Sequence, residues 1–157
     1  EMTRFALSAT IVALMSTAAV AEDVAPSDVA YDDYGAIAQS LTGVAGDPAE
    51  GLRVMETRSA GNCVACHQVS VSTAAFQGNV GPSLDGVADR WDVDQLRGLV
   101  ANAKMVFPDT VMPSFYRVSG YIRPGDAFTG KAAGELSPLL TAQQIEDVVA
   151  YLQTLSE

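Results

Sequence analysis

The clearest apolar pattern in the 157-residue chain lies near its C-terminus. Ile145, Val148, Val149, Leu152 and Leu155 recur at intervals of three and four, with Tyr151 beside them. That spacing puts them on one face of a helix. Thr141, with Gln144 three residues on, reads as its capping box. A second helix is expected from Pro48 to about Ala60. Asp47 serves as N-cap, Pro48 occupies the first helical position and Glu50 follows the cap by three. Leu52, Met55 and Ser59 are expected to form its inner stripe. A third helix is expected from Val93 to Ala103, capped by Asp92, with Leu96, Leu99 and Val100 apolar. Residues 22–46 show no strong period. Residues 68–80 and 117–138 are rich in Gly, Ser, Thr and Pro and read as loops. The second of these is long for a compact domain, a feature that often accompanies function.

One apolar run breaks the helical pattern. Arg4 precedes Phe5–Val20, which ends in Ala19-Val20-Ala21 and then Glu22-Asp23. A charged start, a short apolar region and a small-residue site are the marks of a cleaved export signal. The run is interrupted by Ser8, Thr10, Ser16 and Thr17, and it falls short of the roughly 20 apolar residues a spanning helix needs. The expected organisation is therefore a signal peptide at 1–21, an N-terminal arm at 22–46 and one domain at 47–157. The mature chain would be periplasmic and without a membrane anchor.

Charge narrows the partners. The net charge is −10, and removing residues 1–21 takes one acid and one base and leaves it there. Such a surface disfavours nucleic acid and anionic membrane; it suits a partner with a basic face, or serves only to keep the protein in solution.

The candidate chemistry is concentrated in Gly61-Asn62-Cys63-Val64-Ala65-Cys66-His67. This stretch holds both cysteines of the chain and its single histidine. Cys-x-x-Cys-His is the attachment signature of a c-type haem. The two thiols add to the porphyrin vinyl groups, and the adjacent imidazole lies under the iron. A redox Cys-x-x-Cys pair would not require the histidine. A zinc site needs four ligands, and no further Cys or His exists to supply them. One covalent haem c is expected, on Cys63 and Cys66, with His67 as an axial ligand. A thioether commonly takes the sixth position of such a haem. Met55, Met105 and Met112 compete for it. Met55 belongs to a helix and should pack in the core. Met105 falls at the end of the third helix. Met112 sits in Thr-Val-Met-Pro, where proline excludes helix and a loop can present sulfur. Met112 is the expected ligand.

The chain from about Asp47 to Leu155 resembles the class I cytochromes c. More narrowly, it is similar to the small monohaem subunits of the SoxAX cytochromes of bacterial sulfur oxidation. The resemblance rests on Gly-Asn-Cys-Val-Ala-Cys-His, on Gly-Pro-Ser-Leu-Asp-Gly-Val-Ala-Asp-Arg-Trp and on Pro-Asp-Thr-Val-Met-Pro-Ser-Phe-Tyr-Arg-Val. The ending Leu-Thr-Ala-Gln-Gln-Ile-Glu-Asp-Val-Val-Ala-Tyr-Leu also fits. It implies an all-α class I fold with long loops around one haem and the terminal helix crossing the first. By the same resemblance, the Pro82 carbonyl accepts a hydrogen bond from His67, and Arg90 and Trp91 reach the haem propionates.

The family's activity follows as an expectation. A dihaem or monohaem SoxA-type subunit couples thiosulfate to a cysteine of the carrier protein SoxYZ, as an L-cysteine S-thiosulfotransferase. The small subunit takes the released electrons and passes them to a small acceptor cytochrome c. This chain has no spare nucleophile or base of its own, so no catalytic residue is expected in it. The alternative is a stand-alone periplasmic electron carrier. A gas sensor is disfavoured, because it needs an open sixth site. The aromatic residues Phe115, Tyr116, Tyr121 and Phe128 are expected to face the partner, since aromatics are enriched at interface centres.

Overall fold

The computed structural model describes residues 22–126 and 128–157. The expected signal peptide lies outside the described residues. Four α-helices follow in order: α1 (Pro48–Glu56), α2 (Val87–Arg90), α3 (Val93–Asn102) and α4 (Ala142–Leu152). Short 3-10 turns occupy Cys63–Ala65 and Ala103–Met105. The only pairing of strand type among the described residues is one antiparallel bridge between Gly125 and Ala132. No helix among them is long and apolar enough to cross a membrane.

α1 begins as its sequence dictates and ends early. Asp47 accepts from the Ala49 N–H at 2.8 Å. The expected capping box does not form, because Glu50 turns to Arg53 at 2.7 Å on the surface. The helix stops at Glu56 rather than Ala60. Thr57 is extended, and its N–H and hydroxyl both donate to the Arg53 carbonyl, at 3.1 and 2.6 Å. The freed residues turn back, and Gly61 N donates to Val54 O at 3.1 Å. The buried face is Gly51, Val54 and Met55. Leu52 is half-buried and Ser59 exposed, so the expected inner stripe is rotated.

α4 has the expected box. Gln144 N donates to Thr141 Oγ1 at 3.2 Å, and Thr141 N to Gln144 Oε1 at 2.9 Å. Ile145, Val148, Val149, Leu152 and Leu155 are all buried. α4 lies directly across α1. A Cβ on Gly51 would stand 2.0 Å from the Asp147 carbonyl oxygen, so only glycine allows that crossing. α3 carries a second capping box, Asp92 with Gln95. It ends at Asn102, and Ala103 opens the following 3-10 turn. Leu96 and Val100 are buried, and Leu99 is half-buried. α2 was not expected, being only four residues long.

Residues 22–46 lie on this frame and complete its core. Ile37 and Leu41 are fully buried. Their backbone meets a buried ion pair between α3 and α4. Arg97 Nε donates to Glu146 Oε1 at 2.9 Å and Nη1 to Ile37 O at 2.6 Å. Leu41 N donates to the same Glu146 oxygen at 2.7 Å. Each buried charge is thus paired and further hydrogen-bonded, which buried charges require.

The long loop is closed at its base. Tyr116 N donates to Ala101 O at 2.9 Å, and Leu140 N to Phe115 O at 3.0 Å. Phe115 and Tyr116 are consequently core residues and not a partner surface. Both rings are buried in the core cluster, and Tyr116 Oη donates to Val24 O at 2.7 Å. Tyr121 is braced within the loop, with Arg117 stacked 4.7 Å from its ring centre. Phe128 is fully exposed.

Candidate functional site

The attachment turn follows directly from the end of α1. Asn62 takes the left-handed conformation, at φ 48°, and swings the chain into the 3-10 turn. Cys66 N and His67 N both donate to Cys63 O, at 3.0 and 2.9 Å. Val64 is buried and anchors the turn. Cys63 is half-buried and Cys66 is exposed. Burial pushes the Cys63 thiol up to about 11. Among the described residues, no group of three or more His, Cys, Asp or Glu is placed to hold a metal ion. A four-ligand zinc site therefore has no donors there.

His67 Nδ1 stands 2.7 Å from Pro82 O. A carbonyl oxygen can only accept, so Nδ1 carries the proton. The Nε2 lone pair is then left for a metal. Gly81 lies flat against the imidazole: a Cβ there would stand 2.3 Å from His67 Cε1. Gly81 N also donates to Cys66 O at 2.8 Å. The turn named by Gly-Pro in the sequence is thus the wall of the histidine.

That wall is braced from behind. Asp85 accepts from Ser70 N at 2.9 Å and Ser70 Oγ at 2.6 Å. Leu84 N donates to Gln68 O at 2.9 Å. Arg90 Nη1 donates to Asp85 O at 2.8 Å and Nη2 to Ser83 O at 2.9 Å. Arg90 therefore ties down the loop carrying Pro82, a role the resemblance did not imply. Trp91 packs half-buried on the core, edge-on to Phe107 at 6.4 Å.

The three methionines separate cleanly. Met55 is sealed in the α1–α4 core. Met105 sits on the 3-10 turn after α3, about half exposed. Met112 is half-buried and packs on the core cluster from its loop. Lys104 Nζ donates to Met112 O at 2.8 Å and Thr110 O at 3.2 Å. Met112 N donates to Thr110 Oγ1 at 3.2 Å. Sequence reasoning missed Lys104, Asp85 and Ser70. Lys104 acts on backbone six and eight residues away, and Ser70 and Asp85 meet across fifteen residues, so no local pattern marks them.

Two cysteines on one tight turn, with an imidazole directly after them, fit one covalent haem c. The comparisons agree. The family model described as Cytochrome c matches residues 49–156. A chain of the crystal structure of SoxXA from P. pantotrophus is similar, with 56% identity and a TM-score of 0.81. The match covers 86% of this chain and 99% of that one. No curated protein matches. A helical frame, the Cys63–His67 turn and a family match from the first helix to the last together place this chain in the cytochrome c family.

Proposed function

We propose that this chain is the electron-transfer haem subunit of a SoxXA-type thiosulfate-oxidising complex. The observation that carries the reading is the 56% identity to a SoxXA chain over nearly its whole length. Cys63 and Cys66 would hold the haem as thioethers, and His67 and Met112 would ligate its iron. The group supplies one-electron redox chemistry. Pro82 fixes the tautomer and plane of His67, and a hydrogen-bonded imidazole is a more basic ligand. Gly81 excludes side-chain bulk from the ring. Arg90, Asp85 and Ser70 keep that wall in place.

The complex acts as an L-cysteine S-thiosulfotransferase, with the catalytic centre in a SoxA-type partner. A carrier thiol on SoxYZ loses its proton and bonds to the outer sulfur of thiosulfate. Two electrons depart with that step. This chain accepts them one at a time and hands them to a small acceptor cytochrome c in the periplasm.

The test is co-expression with a SoxA-type subunit carrying an affinity tag. Equimolar co-purification is expected, followed by reduction of both subunits' haems when thiosulfate and SoxYZ are added. A lone monohaem species that ignores the tagged subunit would overturn the reading in favour of a free carrier.

A further inference from the structure

Residues 59–84 contain no Asp, Glu, Lys or Arg, in a chain with 19 acids and 9 bases among its 157 residues. This stretch spans the attachment turn, the loop after it and the Gly81-Pro82 wall. Within it Phe76 is fully exposed, and Val71 and Val80 are 72% and 70% exposed. Phe76 also holds φ at 59°. In that left-handed region Cβ crowds the carbonyl oxygen, and bulky residues are rare. The other non-glycine residue there among those described is Asn62, a type that tolerates it.

The Phe76 conformation is built, not slack. Gln77 Oε1 accepts from Val69 N at 2.6 Å, and its Nε2 donates to Ser72 O and Ala74 O, each at 3.3 Å. Ser72 Oγ accepts from Ala74 N at 3.1 Å and donates to Glu56 of α1 at 2.5 Å. Gly78 N donates to Val64 O at 2.8 Å, which pins the turn against the attachment turn and its exposed Cys66. The strained backbone costs the isolated chain stability, and the fully exposed ring returns none of it by burial. Such strain persists where the surrounding structure imposes it, commonly at functional sites.

We propose that the Phe76 turn is the surface by which this chain seats on the haem-bearing partner subunit of its complex, beside the Cys66 edge. The proposal rests on the function proposed above. Charge selects this occupant over a transient acceptor. Encounter with a mobile carrier is steered by complementary charge around the docking point. The segment that presents Phe76, residues 59–84, carries no charged side chain, although the whole chain stands at −10. A charge-depleted surface centred on an aromatic side chain matches the core of a lasting subunit interface. The partner accordingly offers an uncharged apolar pocket for the ring, next to its own haem.

Phe76→Gly separates binding from folding. Glycine adopts φ 59° without strain, so the isolated holo-chain should melt no lower than the parent. Its affinity for the purified SoxA-type holo-subunit, measured by calorimetry, should fall at least ~tenfold. Phe76→Asp should abolish co-purification while leaving the haem spectrum intact. Undiminished affinity in Phe76→Gly would overturn the surface while leaving the proposed function standing. A parent chain that fails to bind would instead overturn the function itself. A lower melting temperature would show that the ring serves the isolated fold and overturn the proposal. Full subunit affinity with lost electron delivery to a small acceptor cytochrome would reassign the turn to the transient partner and overturn it equally.

Discussion

His67 has one ring proton, and Pro82 decides where it sits. The 2.7 Å contact to a carbonyl fixes it on Nδ1 and leaves Nε2 for iron. In the proposed site the sixth position is a choice among three sulfurs. Met55 has no route out of the core and Met105 stands about half exposed, whereas Met112 is held half-buried by Lys104 and Thr110. Met112→Ala should therefore remove the far-red sulfur-to-iron band of the oxidised holo-chain. Its reduction potential should also fall, because a thioether favours Fe(II). Met105→Ala should change neither. The opposite pattern, read by absorption and redox titration, would make Met105 the ligand. Cys63, Cys66 and His67 are legible because the attachment chemistry needs them in one unbroken run. Arg90 was not legible in the same way. Its two contacts are to the Ser83 and Asp85 carbonyls, and any side chain presents the same backbone to it.

The starts of α1, α3 and α4 could be read from the chain, and the end of α1 could not. The boxes at Asp92 and Thr141 are formed by neighbours three residues apart, so their signal is local. α1 stops at Glu56 because the chain must turn back toward Cys63, and no residue from 57 to 60 announces that turn. The Gly81–Asp85 loop is held by contacts fifteen residues apart in the chain. Its pH response follows from Asp85. The Ser70 hydroxyl and N–H hold this carboxyl below the usual carboxylate range, with Ser83 and Arg90 adding to the effect. The unfolded chain therefore takes up the proton first as pH falls. Asp85's contribution is complete above the ordinary carboxylate value and is lost as pH falls through the depressed one. Melting temperatures of Asp85→Asn should accordingly lie closest to the parent's at the acid end, below about pH 4, and furthest from them near neutrality. A gap that stays constant across the whole range would show that Asp85 titrates alike in both states.

At the scale of the whole molecule, the least legible part is residues 22–46. They lack a period because they follow no regular element, and their partners lie far along the chain. Leu41 N meets Glu146 and Ile37 N meets Asp94 O, at 2.7 and 3.0 Å. The Arg97–Glu146 pair they cap joins residues 49 apart, which no local pattern can show. We propose that residues 47–157 keep the haem fold but not its full stability once this segment is gone. Ile37 and Leu41 are each 1% exposed. Burying such a side chain contributes about 1.5–3 kcal/mol. Deletion would also open the Arg97–Glu146 pair to water and strip Tyr116 Oη of its acceptor at Val24 O. Against a typical domain stability of about 5–15 kcal/mol, that is a large share. The holo-chain beginning at Asp47 should melt about 10 °C or more below the parent, with its haem spectrum retained at low temperature. Scanning calorimetry of the two holo-proteins decides the matter. A melting temperature within a few degrees of the parent's would make residues 22–46 a detachable arm, and the burial of Ile37 and Leu41 would then contribute little to the fold.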